Sequence, residues 1–259
     1  MNLIRKITEC DLEYTKCFCE MDKQSNFIRF KDDLIPDMWY HNYTWITNST
    51  DDDSLLQFIE SEVDRRKREG KNFCLVRCHV SVSDSVVAQL SVKPDVSIAG
   101  WYVMDDLSNL SGLKTTEGAE VVRVNTAEML EDYLKLDLEH DGESQGEDFC
   151  TRRVYRRKEI YLSDDGVDCY ICYLCGEAVG SCNLFVHNGF AKIEDFSVSP
   201  RHQRKGLGTT ILKSLIEIAL VKNVTTVYLE TDEEDTAKEM YMKCGFKKVN
   251  EFKDLSFEI

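Results

Sequence analysis

Between Val198 and Thr210 the chain reads VSPRHQRKGLGTT. Residues 190–198 have strand character, Pro200 stops the strand, and Gly206 and Gly208 lead directly into an amphipathic helix. That helix carries Ile211, Leu212, Leu215, Ile216 and Ala219 at helical spacing. A strand that feeds a helix through a short glycine-bearing turn commits this region to a layered α/β architecture. The same turn is an anion cradle. Successive backbone N–H groups in such a turn converge on one point, and the unsatisfied N–H groups and positive dipole end of the helix lie behind them. Gly206 and Gly208 remove side chains that would stand between a ligand and the backbone. Arg204 and Lys205 add charge, and Thr209 and Thr210 add hydroxyl donors. A pyrophosphate is the natural guest. The alternative is an ordinary strand-turn-helix with glycine for close packing. The stretch has neither the Lys-Ser/Thr ending of a P-loop nor a three-glycine dinucleotide fingerprint.

The rest of the chain divides around a loop. Residues 104–119 (MDDLSNLSGLKTTEGA) have turn composition, and we place a boundary there, giving 1–117 and 118–259. In the first part, helices are expected at 7–20 and 54–69, with Gly70 as a C-cap. Strands are expected at 73–80 and 97–103. An aromatic run from Met38 to Thr47 has strand character and reads as core rather than as a binding platform. In the second part the spacing predicts a strand at 120–124, a helix capped by Thr126, a polar loop at 140–146 and a helix at 147–158. Strands follow at 167–175 and 178–186, joined by a turn at Gly176–Glu177, and Asn188–Gly189 opens the strand at 190–198. A helix at 205–221, a strand at 224–231, a helix at 236–243 and two short strands near 246–249 and 252–257 complete the order.

Composition narrows the function. Forty-seven acidic against 32 basic residues give a net charge of −15. Phosphate binding along a nucleic acid needs a basic footprint, so nucleic acid is excluded as a partner; the acidic field either favours cationic partners such as amines or is a solubility charge spread over the surface. The 11 cysteines are an odd number without framework spacing. Cys169, Cys172 and Cys175 lie in one apolar strand and alternate faces, so they do not converge on a metal. They read as buried thiols of a reducing cytosol. No stretch reaches the roughly 18 apolar residues of a membrane span, and the N-terminus lacks a signal-peptide core, so a cytoplasmic protein is expected.

Gln203 to Gly208 resembles the Q/R-x-x-G-x-G/A signature of the GNAT N-acetyltransferase superfamily. Ile193 to Val198 looks like that family's fourth strand, and Val227 to Glu230 like its fifth. Ala237 to Phe246 (AKEMYMKCGF) looks like its A-x-x-x-Y-x-x-x-G-F segment. The resemblance covers residues 120–259. It implies an α/β fold with a mixed central sheet whose fourth and fifth strands splay apart, preceded here by a second α/β domain. That first domain reads either as a degenerate copy of the same fold or as a cap over the acceptor site. The implied cosubstrate is acetyl-CoA. Its pantetheine would pair with Phe196, Ser197 and Val198, and its pyrophosphate would lie on Gln203, Arg204, Lys205, Gly206, Leu207, Gly208 and Thr209. No metal is implied.

The implied chemistry is direct acetyl transfer to a primary amine, with a strand N–H near Phe196 or Val198 stabilising the oxyanion. Tyr241 matches the family's tyrosine beside the sulfur and is the candidate acid, although a buried structural tyrosine fits as well. Glu194 and Glu230 are the candidate bases, or else carboxylates that bind a cationic substrate. In a regular strand Asp195 would face away from Glu194. Many relatives carry an asparagine before the Ala of the last segment, whereas this chain has Glu233, Glu234 and Asp235, with Asp235 as a possible helix cap. The second reading of the whole is a non-catalytic acetyl-CoA-binding module.

Overall fold

A computed structural model of the chain describes residues 3–49, 51–108, 110, 113–164 and 166–259. Its elements in chain order are α1 (Leu3–Lys16), β1 (Glu20–Lys23), β2 (Phe27–Lys31), β3 (Thr44–Ile46), α2 (Asp52–Arg68), β4 (Phe73–Cys78), α3 (Asp84–Gln89) and β5 (Asp95–Met104). There follow β6 (Ala119–Arg123), α4 (Ala127–Gln145), α5 (Glu147–Leu162), β7 (Val167–Leu174), β8 (Glu177–His187) and β9 (Phe190–Val198). The last are α6 (Leu207–Val221), β10 (Thr226–Asp232), α7 (Ala237–Lys243) and β11 (Lys247–Glu258).

These elements form two compact units that interleave along the chain. The first holds Met1–Cys17, Tyr102–Glu230 and Ala237–Val249, and the second holds Phe18–Trp101, Thr231–Thr236 and Asn250–Ile259. A single cut after residue 117 does not reproduce this division, because α1 belongs to the first unit. The expected loop at 104–119 is irregular but packed. Leu107 and Leu110 are buried in the core of the first unit, and Thr116 bonds to the start of α6. Asn109, Ser111 and Gly112 of that loop lie outside the described residues.

In the first unit the strand order is β10-β9-β8-β7-β6. The β6–β9 strands are antiparallel to their neighbours, and β10 joins β9 in parallel through α6. Two tight turns hold the meander. Asn188 and Gly189 both have positive φ, at 48° and 77°, as a two-residue hairpin requires. The preceding turn centres on Cys175 and Gly176 rather than on Gly176–Glu177, with φ of 52° and 86°. Cys169 and Cys172 are buried in β7, whereas Cys175 has left the strand and is exposed. One sheet face packs on α6, whose apolar stripe from Leu207 to Ala219 is buried against Ala191, Ile193, Val227 and Leu229. The other face receives α1, α4 and α5. The expected loop at 140–146 is instead the last turn and a half of α4. Asp137 and Asp141 on α4 both bind Arg153 of α5, at 2.7 and 2.6 Å, which holds this polar segment helical until Gly146 turns the chain.

The second unit orders its strands β1-β2-β3-β4-β11, with β3 and β4 parallel and the other neighbours antiparallel. The succession β1-β2-β3-α2-β4-α3-β5 repeats β7-β8-β9-α6-β10-α7-β11, a repeat of topology without an evident repeat of residues. Three elements escape the sequence pattern: β1 and β2, which are short and rich in charge, and the six-residue α3. The aromatic run splits into a 3₁₀ turn at Trp39–His41 and β3, and Tyr43 and Trp45 go to the core. The two expected C-terminal strands are one continuous β11, in which Asn250 is half-buried and Glu251 exposed.

Arg77 and Asp254, both buried, tie β4 to β11 through a bidentate pair at 3.0 and 2.8 Å. Removing one partner of such a pair strands an uncompensated charge in the core. Asp254→Ala is therefore expected to lower unfolding stability by about 3–5 kcal/mol, read from the midpoint of urea denaturation.

Candidate functional site

β9 and β10 part company at a defined point. Their parallel register runs from Phe190–Thr226 to Ile193–Leu229 and stops, while β9 remains paired with β8 as far as Gly180–Val198. Residues 194–198 are thus partnered along one edge and open along the other. The reason lies in β9 itself. The ladder to β8 slips between Ser181 and Asn183, and Asp195 sits in left-handed conformation at φ 49°. This is a β-bulge, which bends its strand and ends regular pairing.

The bulge is held by a buried network. Asp195 accepts hydrogen bonds from Arg157 of α5 at 2.6 Å and from Asn183 of β8 at 2.7 Å, and Asn183 also donates to Tyr161 at 2.8 Å. Strand alternation places Asp195 opposite Glu194. The bulge cancels that alternation, so both carboxylates lie on the face covered by α1 and α5.

Glu194 and Glu230 are the first residues beyond the last β9–β10 pair. They continue the face of Lys192 and Tyr228, which are themselves a register pair. Glu194 Oε2 is 2.8 Å from Lys192 Nζ. Burial pushes the Glu194 carboxyl up to about 7; Lys192 opposes the shift, and Glu230 and Asp195 add to it. A carboxyl poised near neutrality accepts a proton at physiological pH. For Lys192, burial works against the ammonium, but Asp11, Glu194 and Glu230 outweigh it and raise its pKa above the usual range.

On the other face of the open segment stand Phe196 and Tyr241. Their rings meet edge to face with centroids 6.0 Å apart, and Tyr241 of α7 is buried. Ser197 faces away and its hydroxyl is 3.0 Å from that of Ser181. Glu194, Glu230, Phe196, Ser197, Val198 and Tyr241 are therefore gathered around one gap between strands. Among the described residues, α7 begins at Ala237, so Thr236 rather than Asp235 immediately precedes it, and the Asp232 carboxylate accepts from Glu234 N–H at 2.7 Å.

The turn from Gln203 to Thr209 follows at the end of β9. Gln203 Nε2 donates to the Val198 carbonyl at 3.2 Å and so ties the turn to the strand. Arg204 and Gly206 both have positive φ, at 63° and 83°, the alternation that turns neighbouring N–H groups inward. Gly206 is the N-cap of α6, and no side chain caps the helix. Among the described residues, no side chain therefore takes up the N–H groups of the first turn. A Cβ on Gly206 would come within 3.2 Å of Thr116 Oγ1, and that hydroxyl donates to the Lys205 carbonyl at 3.0 Å. Gly208 has a different reason. Its missing Cβ makes room for Met240 Sδ, 2.8 Å away, so this glycine serves packing against α7.

The second unit has the counterpart of this helix but not of the cradle. α2 starts at three consecutive aspartates, and the Asp51 side chain caps it by accepting from Ser54 N–H at 2.7 Å. A carboxylate of the chain itself occupies the place an anion would take. A cleft of about 540 Å³ also opens in this unit near the C-terminal end of α2, lined by Arg29, Arg65, Glu69 and neighbouring charges. Its lining mixes cationic and anionic side chains, among them the ion pairs Lys31–Asp33 and Arg65–Glu69.

Several contributors were missed at the sequence level: Lys192, Asp11, Thr116 and the Asp195 network. Asp11 alone carried a signal, an acidic residue on the apolar stripe of α1.

Comparison with known proteins agrees with this geometry. The model of the acetyltransferase (GNAT) family matches residues 128–246. An uncharacterized N-acetyltransferase, CgeE of Bacillus subtilis (strain 168), is 26% identical over 226 residues, covering 85% of each chain. A streptothricin acetyltransferase of Escherichia coli is 33% identical over 108 residues, 39% of this chain and 62% of that protein. The solved structure of a tandem GNAT protein from the clavulanic acid biosynthesis pathway superposes with a TM-score of 0.59 at 12% identity, over 99% of this chain and 96% of its own. The matched segment, the parted strands and the twice-repeated topology together make residues 128–246 a GNAT-family acetyltransferase domain within a tandem GNAT-like fold.

Proposed function

We propose that the chain moves an acetyl group from acetyl-CoA directly to a primary amine, and that residues 118–259, with α1, carry the chemistry while the rest of 1–117 holds a degenerate second copy. The observation that carries this reading is the gap opened after the Ile193–Leu229 pair. It is flanked by Glu194 and Glu230 on one face and Tyr241 on the other, and it leads to the uncapped start of α6.

The residues fit the cosubstrate. The open edge of Phe196, Ser197 and Val198 offers backbone groups to an amide-bearing chain. The N–H groups from Gln203 to Thr209, with Arg204 and Lys205 beside them, suit a pyrophosphate. When bound, acetyl-CoA supplies an activated acetyl thioester. Glu194 takes the proton that the attacking amine must lose, directly or through a water. A backbone N–H near Phe196 or Val198 steadies the negative charge that develops on the carbonyl oxygen. Tyr241 gives a proton to the departing thiolate. Glu230, on the same face as Glu194, draws the ammonium form of the acceptor to the gap. A net charge of −15 favours a cationic acceptor, and the name of the E. coli relative supports a small molecule. The buried thiols Cys169, Cys172 and Cys182 support a reducing, cytoplasmic setting.

Thiol release from acetyl-CoA across a panel of primary amines tests the reading. Binding of CoA with no amine raising turnover above background overturns it in favour of a binding module. The sign of the pH dependence follows from Glu194. Its raised pKa keeps the carboxyl protonated below about pH 7, so kcat/KM should climb as pH passes through 7. Glu194→Gln should erase that limb. The same shift means that the folded state holds more protons than the unfolded one between the ordinary carboxyl pKa and 7, so wild-type stability falls as pH rises across that window.

Tyr241→Phe should lower kcat by roughly a hundredfold, as expected for loss of a general acid, with CoA affinity retained. Gly206→Ala places a Cβ in left-handed conformation, and about 1–2 kcal/mol of strain should weaken CoA binding roughly tenfold. Calorimetry should find one CoA site per chain, because Asp51 occupies the corresponding position on α2.

A further inference from the structure

The first unit includes one helix from the far end of the chain. α1 buries Ile7, Cys10, Asp11, Tyr14 and Thr15, a single face at helical spacing. Four of these are uncharged fillings of a core stripe. Asp11 is not, and a carboxylate this deep needs a partner. The partner is Lys192, which lies 181 positions away on β9.

The Lys192 ammonium is enclosed. It is ion-paired with Asp11, and only 5% and 2% of the two side chains are exposed. It sits 4.7 Å from the centre of the Tyr14 ring and 2.8 Å from Glu194 Oε2. Tyr228 Oη donates to Asp11 Oδ1 at 3.4 Å, which fixes the carboxylate from the β10 side. Glu194 differs from this pair in one respect. Its Oε2 faces the buried ammonium, yet about 31% of its side chain remains exposed. The arrangement is a rigid buried anchor attached to a carboxylate at the mouth of the gap.

We propose that Asp11 and Lys192 are positioning residues that orient Glu194 and set its charge for proton acceptance. The inference rests on the role given to Glu194 above. Lysine has a flexible stem, and its head is fixed here by Asp11 and Tyr14, with Tyr228 holding Asp11 in turn. Fixed in this way, it holds Glu194 by one oxygen. Asp11 also shares the single positive charge. An ammonium wholly available to Glu194 would lock it as a carboxylate too weakly basic to remove a proton. An ammonium divided between two carboxylates leaves Glu194 able to gain and lose one near neutrality.

The other groups acting on Glu194 are few. α1 contributes Tyr14 and β8 contributes Cys182, whose ionisation burial suppresses. β10 contributes Tyr228 and Glu230, and β9 contributes Asp195, whose charge is matched by Arg157 of α5. Asn183, the register partner of Glu194 on β8, is neutral. Lys192 is the cation in direct contact, and Asp11 is the group that competes for it.

The test reads the titration of the Glu194 carboxyl by carbon-detected NMR in the full chain, with the resonance assigned by its loss in Glu194→Gln. The pH limb of kcat/KM is measured alongside. Asp11→Asn frees Lys192 for Glu194, and the midpoint should fall by about one pH unit, a tenfold change in proton affinity. The double variant Asp11→Asn with Lys192→Met removes both buried charges together, which preserves folding better than stranding one. Its midpoint should rise above that of the wild type. Asp11→Glu should restore wild-type behaviour. A purely structural pair would alter stability or kcat without moving the midpoint in opposite directions. Unchanged midpoints in folded Asp11→Asn and double variants overturn the proposal. The NMR readout needs no turnover. If the midpoints move as expected but no amine is acetylated, the acceptor reading fails and the coupling of Asp11, Lys192 and Glu194 stands.

Discussion

Everything in the first unit that matters for chemistry depends on where two parallel strands stop pairing. A parallel pair extended to the ends of β9 and β10 would satisfy its own backbone and leave no room for a ligand. The bulge at Asp195 prevents this. Its left-handed conformation is unfavourable for a non-glycine residue, and Arg157 and Asn183 hold it there through two short hydrogen bonds. One local irregularity therefore has three results. It opens the β9 edge from 194 to 198, brings the second carboxylate onto the face of Glu194, and aims the end of β9 at the turn that starts α6.

The two units show what separates a fold from a site. Both contain an antiparallel meander, a helix that crosses to a parallel strand, and a short helix after it. Only one leaves the crossing helix uncapped behind a glycine. In the other, the Asp51 side chain takes up one of the corresponding orphan N–H groups, that of Ser54, with Asp52 and Asp53 in the first turn. Negative side chains stabilise a helix start by the interaction that would hold a phosphate. α2 is thus capped by the chain itself, and its start carries negative charge that repels anions.

Legibility from the sequence followed periodicity and turn chemistry. α2, α6, α7 and β7 to β10 stood out because apolar spacing and signals such as Asn188–Gly189 are local. β1 and β2 did not, because strands of four and five residues with mostly polar side chains have no period to detect. The end of α4 reads as a loop in the sequence because its helicity depends on Arg153, in the next helix. Glu194, Glu230 and Tyr241 are candidates through motif resemblance. The bulge was not, since nothing in Glu-Asp-Phe announces that alternation breaks at Asp195. Gly208 was given a ligand-facing reason, and the position of Met240 gives a packing one.

The interleaving of the units follows from the same physics. A helix with Asp11 on its buried stripe is a poor element on its own, because its core face carries a charge. Its proper surface must supply a cation in an apolar setting, and Lys192 between Tyr14 and Glu194 is such a cation. Lys192 in turn is a costly residue for a strand interior unless a carboxylate reaches it from the covering helix. Each makes the other tolerable. The need to neutralise one buried lysine beside Glu194 thus explains why the first helix of the chain packs with the first unit rather than with the strands that follow it in sequence.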